Sequence, residues 1–148
     1  QGMAAWNAGD LDAARHLLEQ ATAGDPDELK HVGNLGNLHH ERGELVEALA
    51  CHRKAAELAP EHPGAHRNQG RVFTELGRYH EAARALEKSL EIVPTHAESA
   101  VLCAQALASS GDLIRAWVRC EQSIEEGAGG LDGPVPLHVL VNHAVVQA

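Results

Sequence analysis

From Leu29 onward, apolar side chains recur three and four positions apart, the spacing that gathers them on one face of an α-helix. A first helix is predicted over about Leu29–Arg42 and ends at Gly43, a residue free to take the left-handed conformation that stops helices. A second is predicted over about Leu45–Leu58 and stops near Pro60, which cannot continue the hydrogen-bond ladder. The pattern then starts again. Pro63 suits a first helical turn, Gly77 ends the helix it opens, and Tyr79–Ile92 follows before Pro94.

This alternation keeps time. Pro26, Pro60 and Pro94 are 34 residues apart, and so are Gly9, Gly43, Gly77 and Gly111, and Ala14, Ala48, Ala82 and Ala116. Three residue types on one period mark a repeat protein whose unit is a pair of helices. Small residues at Gly36, Gly70 and Ala104 on the first helix, and at Ala48, Ala82 and Ala116 on the second, let the pair approach closely. The units run over about 1–28 (truncated), 29–62, 63–96 and 97–130. Gly127–Gly133 reads as a lengthened loop, because a shifted register puts Leu140 in a bulky slot and Ala144 in a small one. Residues 137–148 are then a partial fifth unit or capping helix, with a strand as the alternative suggested by Val139, Val141, Val145 and Val146. The chain begins at Gln1 and stops at Ala148 as a piece of something longer would.

Composition sharpens the fold class. Hydrophobic residues make up 44% but aromatic ones only 3%, a mixture dominated by Ala and Leu that favours close-packed helices over a β-sandwich. Lys and Arg number 12 against 21 Asp and Glu, a net charge of −9 that argues against nucleic acid or an anionic membrane as partner. No run of apolar residues approaches the ~20 that a membrane helix needs. Cys51, Cys103 and Cys120 are too scattered for a disulfide framework or zinc spacing, which favours a reducing, cytoplasmic setting.

The slot pattern resembles the tetratricopeptide repeat family. Val32, Leu35, Gly36, His39, Ala48, His52, Ala55 and Pro60 occupy the slots of one unit. His66, Gln69, Gly70, Phe73, Ala82, Leu86, Ser89 and Pro94 occupy those of the next. Ala100, Cys103, Ala104, Leu107, Ala116, Cys120 and Ser123 fill a third, and the opening unit keeps Gly2, Gly9, Ala14, Leu18, Ala21 and Pro26. The main departure is that His, Leu and Cys stand where the family has aromatics. The resemblance implies an all-α, right-handed superhelical solenoid of antiparallel helix pairs, with first helices lining a concave groove that takes peptides.

Carried onto that groove, the candidate peptide-binding residues are Lys30, Asn34 and Asn37, then Arg67, Asn68 and Arg71, then Gln105, then Asn142. Asn34 and Asn68 share one slot, and the pattern is similar to the asparagine ladder of O-linked N-acetylglucosamine transferase repeats, although Leu102 interrupts it. An amide carries both donor and acceptor and so grips a peptide backbone; the alternative is that these side chains satisfy backbone groups locally. Arg67 and Arg71, four apart, suit an acidic side chain or free carboxylate of a partner, or pair with Glu41 and Glu75. Gly33, Glu98 and Leu102 stand where carboxylate-clamp relatives place cations, which disfavours that specific partner.

No chemistry of the chain's own is expected. His62 and His66 have ligand-like spacing but are separated by Pro63, and the adjacent His39 and His40 diverge around their helix, so no metal or other cofactor is expected. Ser109, Ser110 and Ser123 lack a base placed by any motif. The expected function is a non-catalytic interaction module, scaffold or adaptor for a protein or peptide partner. The alternative is the substrate-recognition arm of a glycosyltransferase-like enzyme whose catalytic domain lies elsewhere, and self-association through uncovered ends is a further expectation. The small slots supply a test of register: Ala82→Leu should force its helix pair apart and cost about 1–3 kcal/mol, read as a lower melting temperature.

Overall fold

The computed structural model describes residues 1–7 and 9–125. The expectations for the Gly127–Gly133 loop, for residues 137–148 and for Asn142 lie outside them, as do the side chains of Cys120 and Ser123. Every regular element among the described residues is an α-helix: α1 (Gly2–Asn7), α2 (Leu11–Gly24), α3 (Leu29–Glu41), α4 (Leu45–Leu58), α5 (Pro63–Glu75), α6 (Tyr79–Ile92), α7 (Ala97–Ser109) and α8 (Leu113–Glu125). The all-α class expected from the 34-residue period is therefore the one observed.

The turn inside each pair is built once and used repeatedly. Gly9, Gly43, Gly77 and Gly111 have φ of 80°, 75°, 71° and 87°, the left-handed region where a Cβ is strained. After α3, the Gly43 amide donates to the His40 carbonyl at 3.0 Å and the Glu44 amide to the His39 carbonyl at 2.9 Å. That pair of hydrogen bonds is a Schellman motif, which satisfies carbonyls that the helix end would otherwise leave unpaired. Gly77 and Arg78 repeat it on Thr74 and Phe73, and Gly111 and Asp112 on Ala108 and Leu107. With so short a turn, the two helices of a pair pack antiparallel.

The chain divides into two compact units, Gln1–Asn68 and Gln69 onward, the division falling within α5. In the first, α1 packs on α2, α2 on α3 and α3 on α4. Its core joins Ala14, Leu18, Leu35 and Leu38, with Trp6, Leu11 and Cys51 at the edge, and a second cluster joins Val32, Ala55 and Ala65. Leu38 is wholly buried, which contributes about 1.5–3 kcal/mol. In the second unit α6 packs on α7 and α7 on α8, burying Val72, Leu86, Cys103 and Leu107. Two buried serines there satisfy one another, Ser89 Oγ lying 3.1 Å from Ser99 Oγ.

What fixes the spacing within a pair is a small residue set against a large one. A Cβ added at Gly36 would lie 2.7 Å from Cε1 and 2.9 Å from Nδ1 of the buried His52 ring, and 3.0 Å from Cys51 Cβ. At Gly70 the same carbon would lie 2.8 Å from Leu86 Cδ2, and at Gly2 2.9 Å from Leu18 Cγ. Gly2, Gly36 and Gly70 are one slot, and Leu18, His52 and Leu86 are its partner slot, each 34 residues on. Gly33, one turn earlier on α3, has nothing within 4 Å of its missing Cβ.

Those two glycines on one helix predict opposite effects. Gly33→Ala should stabilise by about 0.5–1 kcal/mol, because alanine orders the helix with less entropy loss. Gly36→Ala gains the same propensity but must displace a buried ring, so it should destabilise by about 1–3 kcal/mol net. Denaturant melts of the two variants check this, the midpoint moving up for Gly33→Ala and down for Gly36→Ala.

Candidate functional site

The start of α3 is set by Glu28, whose carboxylate accepts a hydrogen bond from the Lys30 amide at 3.3 Å. The start of α5 is set by Pro63, which has no amide hydrogen to leave unpaired. Between these two first helices, with α4 beneath, lies a cleft of 430 Å³. Lys30, Asn34 and Asn37 enter it from α3, and Arg67 and Asn68 from α5. His52 and Ala55 of α4 also line it. A second hollow of 480 Å³ adjoins α1, α2 and α3 and shares Lys30 and Asn34.

The asparagines meet differently from a simple ladder. Asn68 Nδ2 donates to Asn37 Oδ1 at 3.0 Å, so the amide bond runs between neighbouring rows and not from Asn68 to Asn34. Each amide keeps hydrogen-bonding capacity in reserve: Asn37 has its whole NH₂ group and Asn68 its carbonyl oxygen. The side chain of Asn34 makes no hydrogen bond among the described residues. Arg71 is exposed on the part of α5 that belongs to the second unit, and Gln105 is half-buried on α7. Neither is among the residues lining the cleft, and Asn142 lies outside the described residues. Gly33, Gly64 and His62 do line it and were not anticipated as site residues. Their signal was available, since Gly33 is one period before Arg67 and Gly64 one period after Lys30.

The histidines in aromatic slots are core residues with defined partners. His39, His52 and His66 are all buried. His66 Nε2 donates to the Pro60 carbonyl at 2.7 Å, tying α5 to the turn before it. His39 Nδ1 lies 2.5 Å from Glu44 Oε2, while Glu44 Oε1 accepts from Arg42 Nε at 2.9 Å and Arg42 Nη1 reaches Asp12 Oδ1 at 2.8 Å. The hydrogen bond from Arg42, then that from His39, hold the Glu44 carboxyl down at about 2. The same slots one period later carry Phe73 and Arg78, and there the guanidinium lies 4.9 Å from the ring centroid. Histidine is matched with a carboxylate within hydrogen-bond reach of its ring nitrogen, and phenylalanine with a cation over its π face. Arg78 also holds the Glu81 carboxyl below its ordinary range.

Neither described thiol is activated. Burial pushes Cys103 up to about 12 and raises Cys51 as well, which keeps both protonated and weakly nucleophilic. Among the described residues no group of three or more His, Cys, Asp or Glu is placed to hold a metal ion. No helix among them is long and apolar enough to cross a membrane.

Comparison with known proteins agrees on the repeat. Residues 28–95 match a family model of the tetratricopeptide repeat, and residues 1–20 match a second model of the same repeat. The chain is 30% identical over 158 residues to outer dynein arm-docking complex subunit 4 of Mus musculus, covering 94% of this chain and 25% of that protein. The Homo sapiens subunit is 29% identical over 159 residues, covering 94% of this chain and 24% of its own. The chain thus spans about a quarter of the length of these curated relatives. The crystal structure of MamA superposes with a TM-score of 0.83 at 18% identity, over 99% of this chain and 89% of that one. The MamA AMB-1 structure gives 0.78 at 24% identity, over 93% and 74%. These likenesses show the fold, a solenoid-type repeat of helix pairs, and the matches identify the repeat without pointing to a transferase.

The Glu44 network makes stability depend on acid pH. The folded chain holds the Glu44 carboxyl at about 2 against an ordinary 4.5, so the unfolded chain takes up the proton first as pH falls. The contribution is present in full above the ordinary value and is lost as pH drops through the folded one. Glu44→Gln should flatten that part of the stability–pH curve, measured by urea melts across the acid range.

Proposed function

We propose that these tetratricopeptide repeats form a non-catalytic protein-interaction module, a scaffold or adaptor element that takes an extended segment of a partner along the α3–α5 cleft. The observation that carries this is the convergence of Lys30, Asn34, Asn37, Arg67 and Asn68 on one cleft of 430 Å³. The Asn37–Asn68 pair offers an NH₂ donor and a carbonyl acceptor side by side, the complement of one peptide group. Such a grip reads main chain and tolerates side-chain variety, as a scaffold's binding surface needs. The relatives' own name, a subunit of a docking complex, supports the scaffold reading.

A second reading keeps the module but makes it the substrate-recognition arm of a larger, glycosyltransferase-like enzyme. It is favoured by one observation, the recurrence of Asn34 and Asn68 in the same slot of successive first helices. The sequence of the parent protein on either side of these repeats separates the two readings.

The module reading is tested by position-specific photo-crosslinking. A photoreactive residue at Asn37 should capture one contiguous segment of a partner, while the same residue at Glu57, exposed on α4, should not. Equal capture at both positions would contradict the proposal. With the captured segment as a synthetic peptide, Asn37→Ala and Asn68→Ala should each weaken binding about fivefold, the worth of one hydrogen bond near 1 kcal/mol.

A further inference from the structure

The second unit carries, on its second helices, an apolar strip that repeat packing does not use. α6 and α8 both pack on α7, and an ion pair from Arg115 of α8 to Glu87 of α6 joins them directly. α8 exposes Ile114 at 78%, Trp117 at 50% and Val118 at 40%. These residues stand three and four apart and so share one side of the helix. Stacking of units accounts for Trp117 alone, whose slot one period earlier holds Ala83, buried where α7 packs on α6. Ile114 and Val118 are in slots that stay exposed in every unit: Asp12 and His16 on α2, Val46 and Ala50 on α4, His80 and Arg84 on α6. A solvated slot has no packing reason to hold isoleucine, and contiguous apolar side chains rimmed by charge mark an interaction surface.

The neighbouring charges say what kind of partner fits. Arg84 and Lys88, four apart on α6, are exposed, and neither makes a hydrogen bond or ion pair among the described residues. The carboxylates nearest them in sequence are engaged, Glu81 by Arg78 and Glu87 by Arg115. Glu91, also exposed, lies past Lys88 at the end of α6. Arg84 is one period before Val118, so the two cations run alongside the apolar strip. In a chain of net charge −9, two unneutralised cations are a local reversal of sign. Three side chains supply well short of the roughly 800 Å² that each side of a standard interface buries, which favours a single helix over a second copy of this chain.

We propose that this face docks an amphipathic helix of a partner protein, its apolar stripe laid on Ile114, Trp117 and Val118 and its Asp or Glu residues turned toward Arg84 and Lys88. The apolar strip supplies the affinity, and the cations fix which way round the helix lies.

The test selects a displayed library of alanine-based helical peptides, randomised along two adjacent faces, on the intact chain. Enriched peptides should carry Leu, Ile, Val or Met at helical spacing with Asp or Glu alongside. Such a peptide should bind the double variant Ile114→Ser, Val118→Ser about tenfold more weakly, and Arg84→Glu, Lys88→Glu by a similar factor. Melting temperatures should be unchanged, because all four side chains are exposed. The charge-reversed variant should instead prefer the peptide with Lys in place of its acids, a rescue that loss of fold cannot produce. Val46→Ser, the same slot as Ile114 but on α4, should leave binding unchanged. Enrichment without acidic preference, binding that survives both double variants, or no enrichment at all would overturn the proposal. So would light scattering that shows wild type as a dimer and Ile114→Ser, Val118→Ser as a monomer, which would make the occupant a second copy. None of these outcomes bears on the α3–α5 cleft.

Discussion

The approach of Gly36 to the His52 ring, and of Gly70 to Leu86, is so close that a single added carbon finds no space. The rest of the molecule depends on that contact. A helix pair with few aromatic residues cannot fill a wide interface, so it stabilises itself by narrowing one. Glycine at the crossing point costs the helix propensity but brings two backbones together over many small dispersion contacts. The partner need not be aromatic once the gap is narrow. Leucine in two pairs and histidine in another fill the same slot.

The cleft follows from the same geometry. α3 meets α2 through Leu35 and Leu38 on one side and α5 through Val32 and Ala65 on the other. Lys30, Asn34 and Asn37 are left on the face that these contacts do not use. Polar residues on that face need not be satisfied by the fold, and the Asn37–Asn68 bond shows how little of their capacity the fold consumes. Stability and the proposed recognition thus occupy different faces of one helix. The charge network of Asp12, Arg42, Glu44 and His39 belongs to the first role: it binds α2 to the turn between α3 and α4 and buries an imidazole beside a carboxylate.

Much of this was legible in the residues, for a physical reason. Gly43 and Gly77 each end a helix in the left-handed region, and no other residue does so cheaply; their spacing therefore reports the turns directly. Val32, Leu35, His39, Ala48, His52 and Ala55 are all buried where the slot pattern places them. Side-chain pairing was not legible in the same way. Asn34 and Asn68 share a slot, but a slot says which face a side chain is on and not which neighbour it reaches, and Asn68 reaches Asn37. The match of His39 to Glu44 and of Phe73 to Arg78 was visible only once the turn had brought residues five apart together. Gly33 was read as standing where a cation would be, and the structure shows open space where its Cβ would stand.

The central claim is that each pair is held at a distance set by one small residue against one large one. A double-mutant cycle on Gly70 and Leu86 tests it most directly. Measured alone, Gly70→Ala introduces a clash and Leu86→Ala opens a cavity, and each lowers stability. If the slot contact sets the spacing, the smaller partner relieves the clash, and the double variant is less destabilised than the sum by more than about 1 kcal/mol. Additive losses would mean that the two side chains do not compete for the same space, and would contradict the account.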